Sequence, residues 1–288
     1  MYYFGCLCYN NTNGEFFAVA NRKEGIIMDI SKYSEQISGY LEEYKSFMGI
    51  TAFPAYLLTI EQMNQDDLAN IEKQGRVSAA EVAYDKEKET YDLIIHDERL
   101  ISKGLLFHEF THILDIEKYV RHGQSDLSEA IAGFTEYHAA QVAFMLRVGA
   151  KRITDTPCFC MESIIATEEG PKTVERYLME KHELACTQFD KKDLLTDVKE
   201  INIAFGVLYN YWGVRSICEM YAPDYLERGN NRLFAQHLSS RLFFEMNKLM
   251  HGWLDDGQIY QSAVLYSNAV FPLLADVARI QKRKQVVH

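Results

Sequence analysis

Two histidines four residues apart, with a glutamate beside the first, occupy the segment GLLFHEFTHILD, residues 104–115. On a helix that spacing is about one turn, so the rings of His108 and His112 project from one face and both reach a single ion. Glu109 sits about 100° round the helix from His108, in reach of a water beside that ion without filling a ligand place itself. These are the parts a hydrolytic zinc needs first. The ion lowers the pKa of its water towards ~7, and the glutamate removes the proton as the water attacks a carbonyl. Leu105, Leu106, Phe110, Ile113 and Leu114 make the same helix strongly apolar. The three polar side chains therefore enter a largely buried helix and need partners, one of which a metal supplies.

Two histidines do not close a zinc site, so a third protein ligand is required, with the fourth place left to water. Past an expected helix end near Val120, RHGQSD carries a glycine and an N-cap candidate, Ser125 or Asp126, and a second helix is expected at once. A short connection makes the two helices antiparallel neighbours. Glu129 and Glu136 are then the candidate ligands, seven residues apart and so on one face. Periodicity does not choose between them.

LLFHEFTH followed by LSEAIAGFTEY resembles the gluzincin branch of the zincin metallopeptidases, especially its aminopeptidase-N-like and peptidase-MA-like groups. Their second motif has the form L-x-E-G-x-A-x-Y-x-E, with the first glutamate on zinc. Leu127, Glu129, Ala132, Phe134 and Glu136 stand in that order here, with Ala130 at the glycine position and Phe134 at the tyrosine. The string S-E-A-I-A also resembles the thermolysin form, with Gly133 where that family has an aspartate bracing a ligand histidine. The resemblance implies zinc held by His108, His112 and Glu129, Glu136 as an inward polar partner, and Glu109 as general base and then acid. The sixteen residues between His112 and Glu129 are fewer than is usual in these families, whereas Glu136 leaves twenty-three.

The same resemblance implies a sheet before the zinc helix, whose edge strand pairs with extended peptide; YDLIIHD or AAEVAYD would be that strand. It also implies a downstream Tyr or His that donates to the oxyanion. LYNYWGVRSICEMYAPDYL is similar to the helix that follows the zinc ligand in peptidase-MA-like proteins, which makes Tyr209 and Tyr211 the candidates, with His237 a second choice. His96, His122 and His138 read as solvated or core histidines.

The elements that must position these residues follow from the pattern around them. MYYFGCLCYN and GEFFAVANR form a hairpin through NNTNG, whose Asn and Gly residues suit a tight turn. Ser31 to Met48 carries Tyr33, Ile37, Tyr40, Leu41, Tyr44 and Phe47 at helical spacing. AYLLTI reads as a strand, EQMNQDD as an acidic helix start, and AAEVAYDKEKETYDLIIHD as a second hairpin round the charged turn Asp85 to Glu89. From Arg99 onward the reading is almost wholly helical, with breaks near HGQSD, TDTP, EEGP, YAPD, ERGNN and HGWLDDG.

The expected fold class is α+β and zincin-like: a mixed N-terminal lobe over 1–150 holding the sheet and both zinc helices, and a predominantly helical lobe over 151–288. With 288 residues and 48% apolar composition the chain has enough for a core. A net charge of −11 argues against a nucleic-acid or anionic-membrane binder. No signal peptide or membrane span is visible, so a cytoplasmic protein is expected, with its six cysteines reduced and buried. The expected activity is zinc-dependent peptide-bond hydrolysis on a peptide or protein substrate, in an endopeptidase, since no G-x-M-E-N type exopeptidase motif is present. Two alternatives are a regulatory protease with one dedicated protein target, resembling the phage-repressor-cleaving peptidases through Glu136-Tyr137-His138-Ala139, and a non-catalytic zincin-fold binding protein.

Overall fold

The computed structural model describes residues 8–10, 15–17, 31–62, 79–85, 88–121, 130–192, 194, 197–227 and 233–286. The chain divides into two compact units, Met1–His122 with Val142–Pro157, and Gly123–Gln141 with Cys158–His288. Among the described residues it is mixed α and β, with helices predominating over three small sheets.

In the first unit, β1 (Cys8–Asn10) and β2 (Glu15–Phe17) pair antiparallel, as the turn composition requires. Helix α1 (Ser31–Met48) buries Ile37, Tyr44 and Phe47 along one stripe. It ends at Gly49, whose φ of 71° is the left-handed conformation that closes a helix most cheaply in glycine. Strands β3 (Tyr56–Ile60), β4 (Ala80–Asp85) and β5 (Thr90–Ile95) form a sheet of order β3-β5-β4, with β3 parallel and β4 antiparallel to β5. Tyr91, Leu93 and Ile95 alternate along β5 and are fully buried. YDLIIHD is thus the central strand, with its backbone pairing groups spent on both sides, and cannot be the peptide-binding edge. AAEVAYD supplies β4, which among the described residues is an outer strand.

Helix α2 (Lys103–Ile116) carries the histidine pair and follows β5 almost at once. A short 3₁₀ turn (Glu98–Leu100) is capped by Asp97, and Ser102 then accepts from the Leu105 backbone N–H at 3.1 Å to start α2. The helix runs out through a π-helical turn, Glu117–Arg121, close to the end expected near Val120. Helix α3 (Ala132–Arg147) follows a turn at Ala130 and Ile131; its first ten residues, to Gln141, belong to the second unit and the rest to the first.

The second unit continues with the hairpin β6 (Ile164–Thr167) and β7 (Gly170–Thr173), then α4 (Val174–Phe189), α5 (Val198–Tyr221), α6 (Phe234–His237), α7 (Ser240–Leu249) and α8 (Asp256–Val286). Helix α5 is its hub. From Ile203 to Cys218 nearly every side chain is buried, so the helix is enclosed on all sides instead of showing one apolar stripe. Gly213 lets it approach α3 closely: a Cβ there would stand 2.3 Å from the Tyr137 carbonyl oxygen. Gln141 on α3 donates to Ser216 on α5 at 2.8 Å and to the Gly252 carbonyl at 2.9 Å, so the contact is polar as well as close.

Two sequence expectations are corrected. The break expected at EEGP in the helical stretch after Arg99 is the turn of a β-hairpin, β6–β7, and not a helix-to-helix connection. The cysteines are not uniformly buried: Cys158 and Cys160 are exposed and only Cys218 is buried among the free thiols described. Helix α3 begins at Ala132 among the described residues, and the expected N-cap candidates Ser125 and Asp126 lie outside them. The acidic segment EQMNQDD after its first two residues, HGQSD after Arg121, and ERGNN after Glu227 lie outside the described residues. No helix among the described residues is long and apolar enough to cross a membrane.

Candidate metal centre

The site begins with how α2 is held. Tyr44 of α1 packs edge-on against Phe107 at 5.2 Å and tilted against Phe110 at 5.4 Å, and Phe47 meets Phe107 at 5.4 Å. The Thr111 hydroxyl donates to the Phe107 carbonyl at 2.7 Å and shares a 3.1 Å hydrogen bond with the Tyr44 hydroxyl. Burial pushes the Tyr44 hydroxyl pKa well above its ordinary value, with the Thr111 bond opposing and the Asp115 carboxylate adding to the rise. Tyr44 is therefore a neutral donor or acceptor at any working pH. It grips the face of α2 beside the one that carries the histidines.

The far end of α2 is tied to the central strand. The Tyr91 hydroxyl donates to Glu117 at 2.5 Å, and Arg121 donates to both Glu117 and Glu89. Burial raises the Tyr91 pKa strongly, and the Glu117 hydrogen bond raises it further. Glu89 adopts a φ of 51°, the left-handed conformation, in the turn between β4 and β5. Strand β5 thus fixes both ends of the helix, through its outgoing chain at Asp97 and through Tyr91 and the Glu89 turn.

On this braced helix His108, Glu109 and His112 are 1%, 2% and 2% exposed. One ligand atom from each lies within 4.8 Å of the other two, and no other His, Cys, Asp or Glu group among the described residues meets the same condition. Two ligands of a tetrahedral zinc at 2.0–2.1 Å stand ~3.3 Å apart, a distance these side chains reach by small rotations. Imidazole and carboxylate are donors that zinc accepts. The donor set fits the ion.

Asp115 was not singled out in the sequence. It is 4% exposed and lies three residues from His112 and seven from His108, hence on their face of the helix. The spacing was readable. His96, left as an ordinary histidine, contacts Glu61 through Nδ1 at 2.7 Å.

Glu129 and His122 lie outside the described residues. Glu136 is on α3 in the second unit, 1% exposed, with Gly206 of α5 leaving it room: a Cβ at Gly206 would stand 3.4 Å from its Oε1. Tyr209 is fully buried among the rings of Trp212 at 5.0 Å and Tyr266 at 5.8 Å, and Gly133 faces its ring. Tyr211 is 2% exposed and donates to Glu227 at 3.3 Å. His138 stacks on Phe134, and the His237 ring stands 6.0 Å from Phe189.

Comparison of the chain with known protein families, with curated proteins and with solved structures finds no match.

Proposed function

We propose that this protein is a zinc-dependent peptidase, of zincin-like fold and gluzincin type, acting as an endopeptidase on a peptide or protein substrate. The observation that carries the reading is the convergence of His108, Glu109 and His112 in one buried cluster on a helix braced at both ends. A structural zinc site needs four ligands and no base, whereas a carboxylate beside two histidines has a use in hydrolysis. Zinc bound there would supply Lewis acidity to a water and a scissile carbonyl.

The chain's own residues would do the rest. His108 and His112 would hold the ion from one helix face, and Glu129 would complete the protein ligands, as the motif order suggests. Glu109 takes a proton from the attacking water and returns it to the leaving amine, a general base that becomes a general acid. Leu105, Leu106 and Ile113 of the same helix are fully buried, and apolar surroundings of that kind would strengthen each electrostatic contact at the site. The resemblance implies an edge strand that pairs with extended peptide; β4, an outer strand of the sheet among the described residues, packs against α2. Tyr211, or Tyr209, would donate to the oxyanion.

Metal analysis tests the reading. Protein purified without chelators is expected to hold about one zinc per chain, and His108→Ala and His112→Ala are expected to lose it. A chain that holds no zinc, shows no thermal shift on adding it and is unchanged in this by either substitution would remove the basis for the proposal.

A further inference from the structure

The second unit holds a cavity of about 330 Å³, of whose lining the metal reading invokes Tyr211 alone. That volume lies within the range of small-molecule pockets. Five carboxylates line it, Glu162, Glu175, Glu183, Asp224 and Glu227, and among the described residues the lining contains no lysine or arginine. Its other polar members are Tyr211, Tyr225 and His182, and its apolar ones are Met161, Leu178, Met179 and Leu226.

The groups are arranged and not merely gathered. Tyr211 and Tyr225 donate to the two different oxygens of Glu227, at 3.3 and 3.0 Å, which fixes that carboxylate beside two phenol rings. Asp224 is held by the Met161 backbone N–H, 3.1 Å from each of its oxygens. The His182 ring meets Tyr211 edge-on at 5.0 Å, and burial keeps its pKa below the ordinary value, so it adds no positive charge at neutral pH. Two cations stand beside these carboxylates: Arg215, 1% exposed, is 3.7 Å from Glu227, and the exposed Arg176 is 4.0 Å from Glu183. Two charges do not balance five.

The carboxylates do not converge on a point. No three of them come close enough to chelate one metal ion, a condition that among the described residues only His108, Glu109 and His112 meet. They ring a space with aromatic and aliphatic walls instead. An extended cation satisfies such a space: its charge lies among the carboxylates and against the tyrosine faces, and its stem lies on the leucine and methionine side chains.

We infer that this cavity binds an organic cation, an amine or guanidinium carried on an apolar stem, either as a free polyamine or as a basic side chain of a peptide. The inference does not rest on the metal reading, and its test reads binding and not hydrolysis.

Calorimetric titration of the full chain with spermidine and with N-acetyl-arginine amide tests the inference, with N-acetyl-citrulline amide as an uncharged analogue of the second. Saturable binding of at least one cation is expected, weakening with added salt, together with no binding of the citrulline compound. Spermidine alone binding would assign the site to free polyamines, and the arginine amide binding would assign it to basic side chains. Because Glu227 also faces the buried Arg215, the variant of choice is the double substitution Glu162→Gln/Glu183→Gln, at two exposed positions. Loss of two exposed charges is expected to weaken binding by about tenfold while leaving the thermal midpoint near that of the unsubstituted chain. Absence of binding by both cations at millimolar concentration, equal binding of the citrulline analogue, or unchanged affinity in the double variant would each overturn the inference.

Discussion

The rings of His108 and His112 stand 4.6 Å apart at 86°, edge to face, one turn from each other on α2. In that geometry two imidazoles approach one point from different directions, as a tetrahedral ion requires of its ligands. Stacked rings would aim their nitrogens along parallel lines and could not share an ion without rotating. The carboxylate of Glu109 completes the cluster from the adjoining face of the helix.

Glu109→Gln separates chemistry from metal binding. The amide keeps the size of the side chain but cannot take a proton, so zinc content and fold are expected to stay and hydrolysis to fall by about 10²–10⁴-fold. Turnover of any accepted substrate, measured beside zinc content on the same sample, checks both halves. Near wild-type turnover would mean that another group is the base.

The two glutamates make different predictions. Glu129→Ala is expected to lose zinc steeply, since a carboxylate on the ion neutralises charge and fixes the tetrahedron. Glu136→Ala is expected to weaken zinc by no more than the ~10–100-fold typical of an outer partner. Zinc affinities by competition with a chelator decide. The reverse order would make Glu136 the ligand and move the protein towards the repressor-cleaving peptidases.

The approach of α3 to α5 predicts a contrast between two glycines. An added methyl at Gly213 meets the Tyr137 carbonyl oxygen at 2.3 Å and the Ala140 Cβ at 2.8 Å, neither of which can swing away. Gly213→Ala is expected to cost about 1–3 kcal/mol in denaturant unfolding. At Gly206 the nearest atom is a side-chain oxygen at 3.4 Å, and the gain in helix propensity offsets the contact. Gly206→Ala is expected within about 1 kcal/mol of the parent. Equal costs at both positions would show that the close contact at Gly213 is relieved by a shift of the helices.

His182 gives a pH dependence with a fixed sign. Burial lowers its pKa in the folded chain, more than Glu227 and Glu183 raise it, so below ~6.5 the unfolded chain binds the extra proton first. Stability contributed by the neutral ring is present above that value and lost as pH falls through the folded pKa. His182→Gln is expected to flatten the fall in unfolding free energy between about pH 7.5 and 5 relative to the parent. Parallel curves for the two proteins would exclude the histidine as a source of the slope.

How far the sequence reaches is clearest from paired cases. Helix α1 was legible to the residue because Ile37, Tyr44 and Phe47 bury one face while polar residues cover the other. Strands β4 and β5 were legible from alternation, but their order was not: that β5 is central depends on β3 joining it from thirty residues upstream. The hairpin β6–β7 was missed because each strand is four residues long, Pro171 interrupts the second, and Ile164 faces outward at 66% exposure. At the site, His108, Glu109 and His112 were readable because one helix turn carries them all. The choice between Glu129 and Glu136 was not, because neither lies on that helix. The cavity residues were invisible for the same reason, since Glu162 and Glu227 are distant in the chain and carry no motif.

The strand order β3-β5-β4 also sets an order of events in folding. The β4–β5 hairpin closes over a short turn and can form in about 1–10 μs, whereas β3 must return across thirty residues of chain to pair in parallel with β5. The nascent hairpin already contains Tyr91 and the Glu89 turn, the two points that later fasten Glu117 and Arg121 at the end of α2. The histidine helix therefore has its anchors waiting when it emerges, and it can dock before the sheet is complete. Substitutions in β4 or β5 are then expected to slow folding, whereas substitutions in β3 act chiefly by hastening unfolding.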